Sequence, residues 1–409
     1  MTDTQWFREA GFGLFIHWGL YALQGLGEWA MYTSAIPAEE YRALADRFSP
    51  GHFDADEWAQ LACGAGMRYM VMTTKHHDGF CLFDTRTTDF CSTKTAAGRD
   101  FVREYVDACR RHGLKVGLYF SVKDWQYPGY FRGPEKDPEG WAEFMRVYEA
   151  QLRELLTNYG KIDVLWFDGG DAPHFGLVDY PREAWQADRL EKLVRGLQPG
   201  ILINGRAGMH ADFGTPERTG YGVMAASETP QEICDSLTAE AWGYRPGDPC
   251  ISLREVMERI RGAAVNGCNL LLNASPDSDG RIPDDQQALL RRVGEWMRAN
   301  GEAFYGTARQ LPLWFEGTSF GPIATKERFA YLLMNRRPYE GQVFLWKLAG
   351  EPVSACMLST KAPLTVRRAQ GRIVISGFRQ QDFDEMYPVV RLEFAEPVRA
   401  ADPFEIFPR

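Results

Sequence analysis

The stretch Lys161–Gly170, KIDVLWFDGG, decides the fold. Ile162, Val164, Leu165, Trp166 and Phe167 form an apolar run too short for a helix and rich in β-branched and aromatic residues, so it reads as a buried strand. Asp168 ends the run, and two glycines follow it. Five more runs share this design: GFGLFIHWG (11–19), RYMVMTTKHHDGF (68–80), KVGLYFS (115–121), GILINGR (200–206) and CNLLLNAS (268–275). Between them lie amphipathic helical stretches at 100–112, 141–159, 184–197, 252–265 and 284–300. Strand and helix in alternation imply parallel strands joined by right-handed crossovers. A closed barrel and a doubly wound sheet both satisfy that pattern, and the strand ends decide between them. Each run turns polar or ionisable at its C-terminal end, at His17, at His76 and His77, and at Ser121, Asp168, Arg206 and Asn273. Functional groups gathered from many strand ends are the mark of a barrel's C-terminal rim. A doubly wound sheet would concentrate them at one switch point, and its Gly-rich phosphate turn is missing. The expectation is a (β/α)8-type barrel, similar to the TIM barrel.

After Thr307 the texture changes. FAYLLMN, GQVFLWKL, ACMLS, LTVRRAQGRIVISGF and YPVVRLEFAE are short, β-rich and separated by Gly or Pro turns, which predicts a small all-β sandwich. The division expected is a catalytic barrel over 1–307 and a β-sandwich domain over 308–409, with the boundary between Gly306 and Pro312.

Composition narrows the function. A formal net charge of −9 and the lack of any basic run disfavour nucleic acid, whose binding depends on clustered Lys and Arg. No window of about 18 apolar residues suggests a membrane span. No signal peptide is visible, so the expectation is a cytoplasmic protein, or a secreted or periplasmic one if a signal was removed. Eight cysteines are scattered without CxxC pairs, which predicts free buried thiols rather than a disulfide framework. Aromatic residues make up 13% of the chain. Core filling absorbs most of them, but aromatic faces also stack on the apolar faces of sugar rings.

Asp168 combines a carboxylate, the neighbouring Trp166 and glycines that clear space above a barrel rim, which is what a glycosidase nucleophile needs. A helix N-cap is the competing use of such an Asp. His76 and His77 suggest either a metal site or a fan of hydrogen-bonding groups around a polyhydroxylated ligand. Successive strand residues point to opposite faces, so one ion can take both rings only where the strand has ended, and sugar binding is the preferred reading. His17 holds the equivalent place on the first strand. A glycosidase also needs a second carboxyl to protonate the leaving oxygen. Glu217 in DFGTPER and Glu228 in ASETPQE are the candidates.

Together the runs WFREAGFGLFIHWG, GEWAMY, HHDGF, KVGLYFSVKDW, IDVLWFDG, WGYRPGD, NLLLNASPDSDG and GEWMRANGEAFYGT resemble the α-L-fucosidases of glycoside hydrolase family 29. The resemblance spans the barrel and extends weakly into the tail. It implies a retaining α-L-fucosidase that cleaves terminal α-L-fucosyl residues from glycans or glycosides, without cofactor or metal. It further implies Asp168 as nucleophile, with His17, Glu28, Trp29, His76 and His77 holding fucose hydroxyls. Tyr119 and Trp166 would complete the pocket, Trp242 would wall the sugar's methyl group, and Arg206 would lie near the acid/base. Two positions depart from the family pattern: Gly205 stands between Asn204 and Arg206, and Ser227 precedes Glu228. DFGTPE resembles the segment that carries the acid/base in several subgroups, which favours Glu217 and leaves Glu228 a binding candidate. The rival readings are a metal-dependent hydrolase built on the histidines and a catalytically silent fucose-binding protein.

Overall fold

The computed structural model describes residues 2–170, 180–219, 224, 227–308, 311, 318–384 and 386–401. Seven parallel strands form its first sheet: β1 (Phe12–Ile16), β2 (Tyr69–Lys75), β3 (Lys115–Ser121), β4 (Val164–Asp168), β5 (Leu202–Ile203), β6 (Glu232–Ser236) and β7 (Asn269–Ala274). Their order is β5-β4-β3-β2-β1-β7-β6, so β5 and β6 are the two edges. A short irregular segment joins those edges. Asn204 bridges Phe213, and Gly214 and Glu217 bridge Gln231 and Cys234, all in parallel sense. Residues 213–217 thus serve as the eighth stave, and the curled sheet closes into a barrel with no open edge to cover.

Period-two alternation then sorts the side chains. Phe15, Tyr69, Val71, Tyr119, Val164, Trp166, Leu202, Phe213, Cys234 and Leu271 meet inside the barrel. Their sequence neighbours Leu14, Met70, Leu118, Leu165, Phe167, Ile203, Leu270 and Leu272 face the surrounding helices. Asp168 shares the parity of Val164 and Trp166, and His17 that of Phe15, so both continue the inner rows upward to the rim. At the opposite end Phe7, on the helix Gln5–Ala10, closes the barrel against Tyr69 and Phe213, with ring centroids 5.7 and 4.7 Å away.

The outer helices begin where the chain supplies a cap. Asp54, Asp100 and Asp137 each accept a backbone N–H in the first turn of the helix they precede, and Ser252 forms a reciprocal capping box with Glu255. The observed helices Phe101–Arg111, Pro138–Asn158, Ala187–Leu197, Leu253–Asn266 and Asp284–Asn300 coincide with the stretches expected from sequence. Strand β6 and the stave 213–217 were not foreseen. EICDS carries two acids in five residues, and DFGTPE contains Gly and Pro, so neither shows the apolar run of a buried strand.

The second sheet is antiparallel, in the order β10-β13-β12-β11-β14-β9-β8. Its strands are β8 (Ile323–Lys326), β9 (Phe329–Leu333), β10 (Gln342–Leu345), β11 (Pro352–Met357), β12 (Pro363–Ala369), β13 (Arg372–Ser376) and β14 (Val389–Phe394). β12 pairs with β11 through its first two residues and with β13 through the rest, and there the sheet changes layer. Val343 and Leu345 from one end of the sheet consequently share a core with Ile323 and Leu332 from the other, as in a sandwich. Tyr387 ties this unit to the barrel. Its carbonyl accepts from Trp296 Nε1 at 3.2 Å and its hydroxyl donates to Glu258 at 2.7 Å. The expected boundary at 306–312 falls partly on residues 309, 310 and 312, which lie outside those described. All eight thiols are free, with Cys81, Cys91, Cys109 and Cys234 buried. Among the described residues no helix is long and apolar enough to cross a membrane.

Helix Asp284–Asn300 crosses the end of helix Ala55–Gly64 at Gly294, where an added Cβ would fall inside van der Waals contact with the Gly64 carbonyl. Gly294→Ala is expected to destabilise the barrel by about 1–3 kcal/mol despite alanine's better helix propensity. Denaturant titration reads this directly, and an unchanged midpoint would show that the two helices are not in close contact.

Candidate active site

The ends of β1 to β4, the stave 213–217 and the loops around Glu28 and Trp242 converge on one cavity of about 560 Å³. Among its lining residues are His17, Glu28, Trp29, His76, His77, Tyr119, Trp166, Asp168, Arg206, Glu217 and Trp242. Of the catalytic and binding candidates named in the sequence, Glu228 is not in the lining, and of the polar strand ends Ser121 and Asn273 stand behind it, bonded to His77 and His17. Glu228 is exposed, and its backbone carbonyl accepts from Arg8.

Asp168 lies at the centre. Its Oδ2 accepts from the Tyr119 hydroxyl at 2.6 Å, and its Oδ1 accepts from the Gly169 amide at 2.9 Å and from Arg206 Nη1 at 3.1 Å. His77 Nε2 stands 3.5 Å from Oδ2. Burial by itself would raise this carboxyl, but the His77 ring when protonated, the Arg206 guanidinium and the Tyr119 hydrogen bond outweigh it, and the pKa falls well below the usual carboxylate range. Burial lowers the His77 imidazole to about 3, so near neutrality that ring is uncharged. The charge that keeps Asp168 ionised is then that of Arg206. The competing use of Asp168 as a helix N-cap does not apply to the next described helix, which starts at Ala187 behind Gln186.

The same guanidinium reaches the second carboxyl, since Arg206 Nη2 donates to Glu217 Oε2 at 3.4 Å. Asp168 is 21% exposed and Glu217 44%, which places the first deep in the cavity and the second at its mouth. Glu217 owes its position to the closing stave. Cys234 N donates to Pro216 O and Arg218 N to Cys234 O, so the backbone on both sides of Glu217 is pinned to β6. Arg218 adopts φ +47° there, a left-handed conformation uncommon outside glycine. Its guanidinium donates to Ala239 O and Glu240 O and lies 5.2 Å from the centre of the Trp242 ring.

The histidines are arranged as neutral hydrogen-bonding groups. Asn273 Oδ1 accepts from His17 N and lies 2.8 Å from His17 Nδ1, while Asn273 Nδ2 donates to Trp242 O and Ser236 Oγ. With the amide's orientation settled by its donors and acceptors, His17 must donate from Nδ1, and its Nε2 is left as an acceptor. Burial lowers this ring to about 4. His77 is anchored through Nδ1 to the Ser121 hydroxyl at 2.6 Å. The turn that carries it is held from behind: Tyr41 donates to Asp78, Gln126 donates to Asp78 O, and Trp125 N donates to His77 O. Gly79, at φ +82°, leaves room for Asp124, which pairs with the buried Lys75 at 3.0 Å. Asp78 is therefore an internal strut beneath the histidine turn. Glu28 is buried, and its Oε2 accepts from the amides of Trp242 and Gly243 at 3.0 and 2.7 Å. Burial raises its pKa despite both bonds.

A metal reading has one geometric basis, because one ligand atom each from His76, His77 and Asp168 lies within 4.8 Å of the others. The environment argues against it. Both Asp168 oxygens already accept hydrogen bonds, one of them from a guanidinium whose charge would repel a divalent ion, and the two imidazoles overlap with centroids 4.2 Å apart. Aromatic walls suit a sugar better: Tyr119 stacks on Trp166 at 5.7 Å, Phe15 meets Trp166 at 5.1 Å, and Trp242 lies 5.2 Å from His17.

Lys123, Arg218, Cys234, Glu240 and Arg245 also line the cavity and were missed in the sequence. Arg218 and Cys234 belong to the stave and strand that lacked an apolar signature. Glu240 and Arg245 sit on a loop whose one sequence signal was the nearby WGY motif.

A model of the α-L-fucosidase family matches residues 2–302. The human plasma α-L-fucosidase is 28% identical over 376 residues, which cover 83% of this chain and 78% of that protein. The solved structure of α-L-fucosidase isoenzyme 1 from Paenibacillus thiaminolyticus superposes with a TM-score of 0.86 at 34% identity, covering 96% of this chain and 99% of the other. A family 29 α-L-fucosidase from Bacteroides thetaiotaomicron, solved as a trapped covalent intermediate with 2-fluoro-fucosyl fluoride, gives a TM-score of 0.84 at 27% identity and covers 96% and 95% of the two chains. With a family model matched over the whole barrel and this agreement in fold, the chain belongs to the α-L-fucosidases of glycoside hydrolase family 29.

Proposed function

We propose that the chain hydrolyses terminal α-L-fucosyl residues from glycans or glycosides with retention of configuration, using Asp168 as nucleophile and Glu217 as acid/base. The observation that carries this assignment is the single Arg206 guanidinium that contacts both carboxyls, one deep in the cavity and one at its mouth. Asp168 attacks the anomeric carbon while Glu217 delivers a proton to the departing oxygen. A covalent fucosyl-enzyme results. Glu217 then takes a proton from water, which attacks the same carbon and frees Asp168, so two inversions give retention. His17 Nε2, Glu28, Trp29, His76 and His77 hold the hydroxyls, and Trp242 provides an apolar wall for the methyl group. Glu228 lies outside the cavity lining and takes no part in this scheme.

Asp168→Gly is expected to reduce kcat by roughly 10⁴-fold or more with folding intact, and azide to restore turnover of an activated aryl fucoside. Near-wild-type activity would remove Asp168 from the role. For Glu217→Ala the expected loss is about 10²–10⁴-fold with poor leaving groups and much smaller with activated ones. An equal loss on both substrate types would contradict the acid/base assignment.

Arg206→Met tests the electrostatics. The native Asp168 pKa is depressed, so the carboxylate stays ionised as pH falls through the ordinary carboxylate range. Without the guanidinium, burial pushes that pKa upward and protonation removes the nucleophile at a higher pH. The acid limb of kcat/KM should therefore move to higher pH, with kcat/KM at neutral pH lower by roughly 10²–10³-fold. An unshifted acid limb would show that Arg206 does not set the charge of Asp168.

A further inference from the structure

Beneath the cavity floor, inside the barrel, lies a carboxyl that the scheme above does not use. Glu232 opens β6 and is fully buried. Its Oε2 accepts from the Tyr69 hydroxyl on β2 at 2.6 Å, and its Oε1 accepts from Trp166 Nε1 on β4 at 2.9 Å. Among the described residues no basic side chain forms an ion pair with it, and burial raises its pKa to about 7. An acid without a counter-ion is costly in the interior of a barrel whose inner cluster includes Val71, Val164, Cys234 and Leu271. Charge pairing does not account for its presence.

Its partner does. Trp166 is the ring on which the nucleophile's holders rest. It stacks on Tyr119 with an interplanar angle of 15°, and the Arg206 guanidinium lies 5.3 Å from its centre. Tyr119 and Arg206 donate to the two oxygens of Asp168. An indole has one N–H, and that N–H fixes the ring's rotation only if an acceptor meets it. We infer that Glu232 is a positioning residue for the nucleophile: it locks the plane of Trp166 from below, and so sets Tyr119 and Arg206 against Asp168. A carboxyl suits the task because two donors, Tyr69 OH from β2 and Trp166 Nε1–H from β4, converge on it. Each needs an acceptor, and glutamine offers one oxygen where glutamate offers two. This inference rests on the reading of Asp168 as nucleophile.

The test is a double-mutant cycle on an activated aryl fucoside, comparing wild type, Glu232→Gln, Trp166→Phe and the double variant, with thermal stability measured for each. Glu232→Gln should lower kcat roughly ten-fold, a misplacement effect, and shift the acid limb of kcat/KM upward as the Arg206 contact loosens. Inhibition by free L-fucose should change less than about two-fold, because the hydroxyl-binding residues His17, Glu28 and His76 are untouched. In the Trp166→Phe background the same Gln substitution should have no further effect on kcat. A purely structural role would lower the melting temperature and leave the acid limb in place. The inference is overturned if folded Glu232→Gln keeps wild-type kcat and acid limb, or if the two losses multiply. Asp168→Gly assayed alongside separates the failures: an active Asp168→Gly sinks the nucleophile reading, whereas an inactive one beside independent Glu232 effects sinks only this inference.

Discussion

In the proposed scheme Asp168 must be charged in order to react, yet its side chain is only 21% exposed at the end of an apolar strand, and the contacts around it keep it charged. An isolated buried carboxylate takes up a proton. Asp168 instead accepts hydrogen bonds on both oxygens from Tyr119, Gly169 and Arg206. The histidines that line the same cavity are neutral at ordinary pH, with His17 lowered to about 4 and His77 to about 3. They can therefore meet hydroxyls without competing for the nucleophile's charge. The Arg206 cation held against Asp168 and the neutral dipoles around it form the kind of preorganised surrounding that needs little rearrangement as charge develops at the sugar.

That arrangement needs the barrel to be closed. Closure puts Val164, Trp166 and Asp168 in one inward row, and it brings the stave 213–217 between β5 and β6, so that Glu217 stands at the mouth two staves from β4. The stave gives up regular geometry to do this. Its peptide groups pair with β5 and β6 only at intervals, and Arg218 takes a left-handed conformation directly after the acid. Non-glycine residues in that region cost energy and persist where surrounding contacts over-determine them. The Arg218 bonds to Ala239 O and Glu240 O supply such contacts.

Much of this was legible in the chain because one rule, apolar through the body and polar or ionisable at the end, holds for six of the strands. That rule located His17, His76, His77, Asp168 and Arg206 without any structure. It failed where strands carry polar residues for a reason beyond their own burial. β6 begins with Glu232, whose oxygens accept from Trp166 and Tyr69, and the stave 213–217 carries Gly and Pro and pairs with its neighbours only at isolated bridges. Asp78 shows the converse: it follows the two histidines directly in HHDGF, yet it bonds to Tyr41 beneath the turn, which only the fold reveals. Sequence spacing could not say which of Glu217 and Glu228 reaches the rim, and the fold places Glu217 in the cavity lining.

The central claim is that Asp168 bonds covalently to the sugar. Treating the enzyme with 2-fluoro-fucosyl fluoride, digesting it and sequencing the labelled peptide by mass spectrometry tests this directly. The account predicts one fluorofucosyl adduct per chain, carried by Asp168 in the peptide containing KIDVLWFDGG. A stable adduct on any other carboxyl, or full inactivation with Asp168 unlabelled, would contradict it.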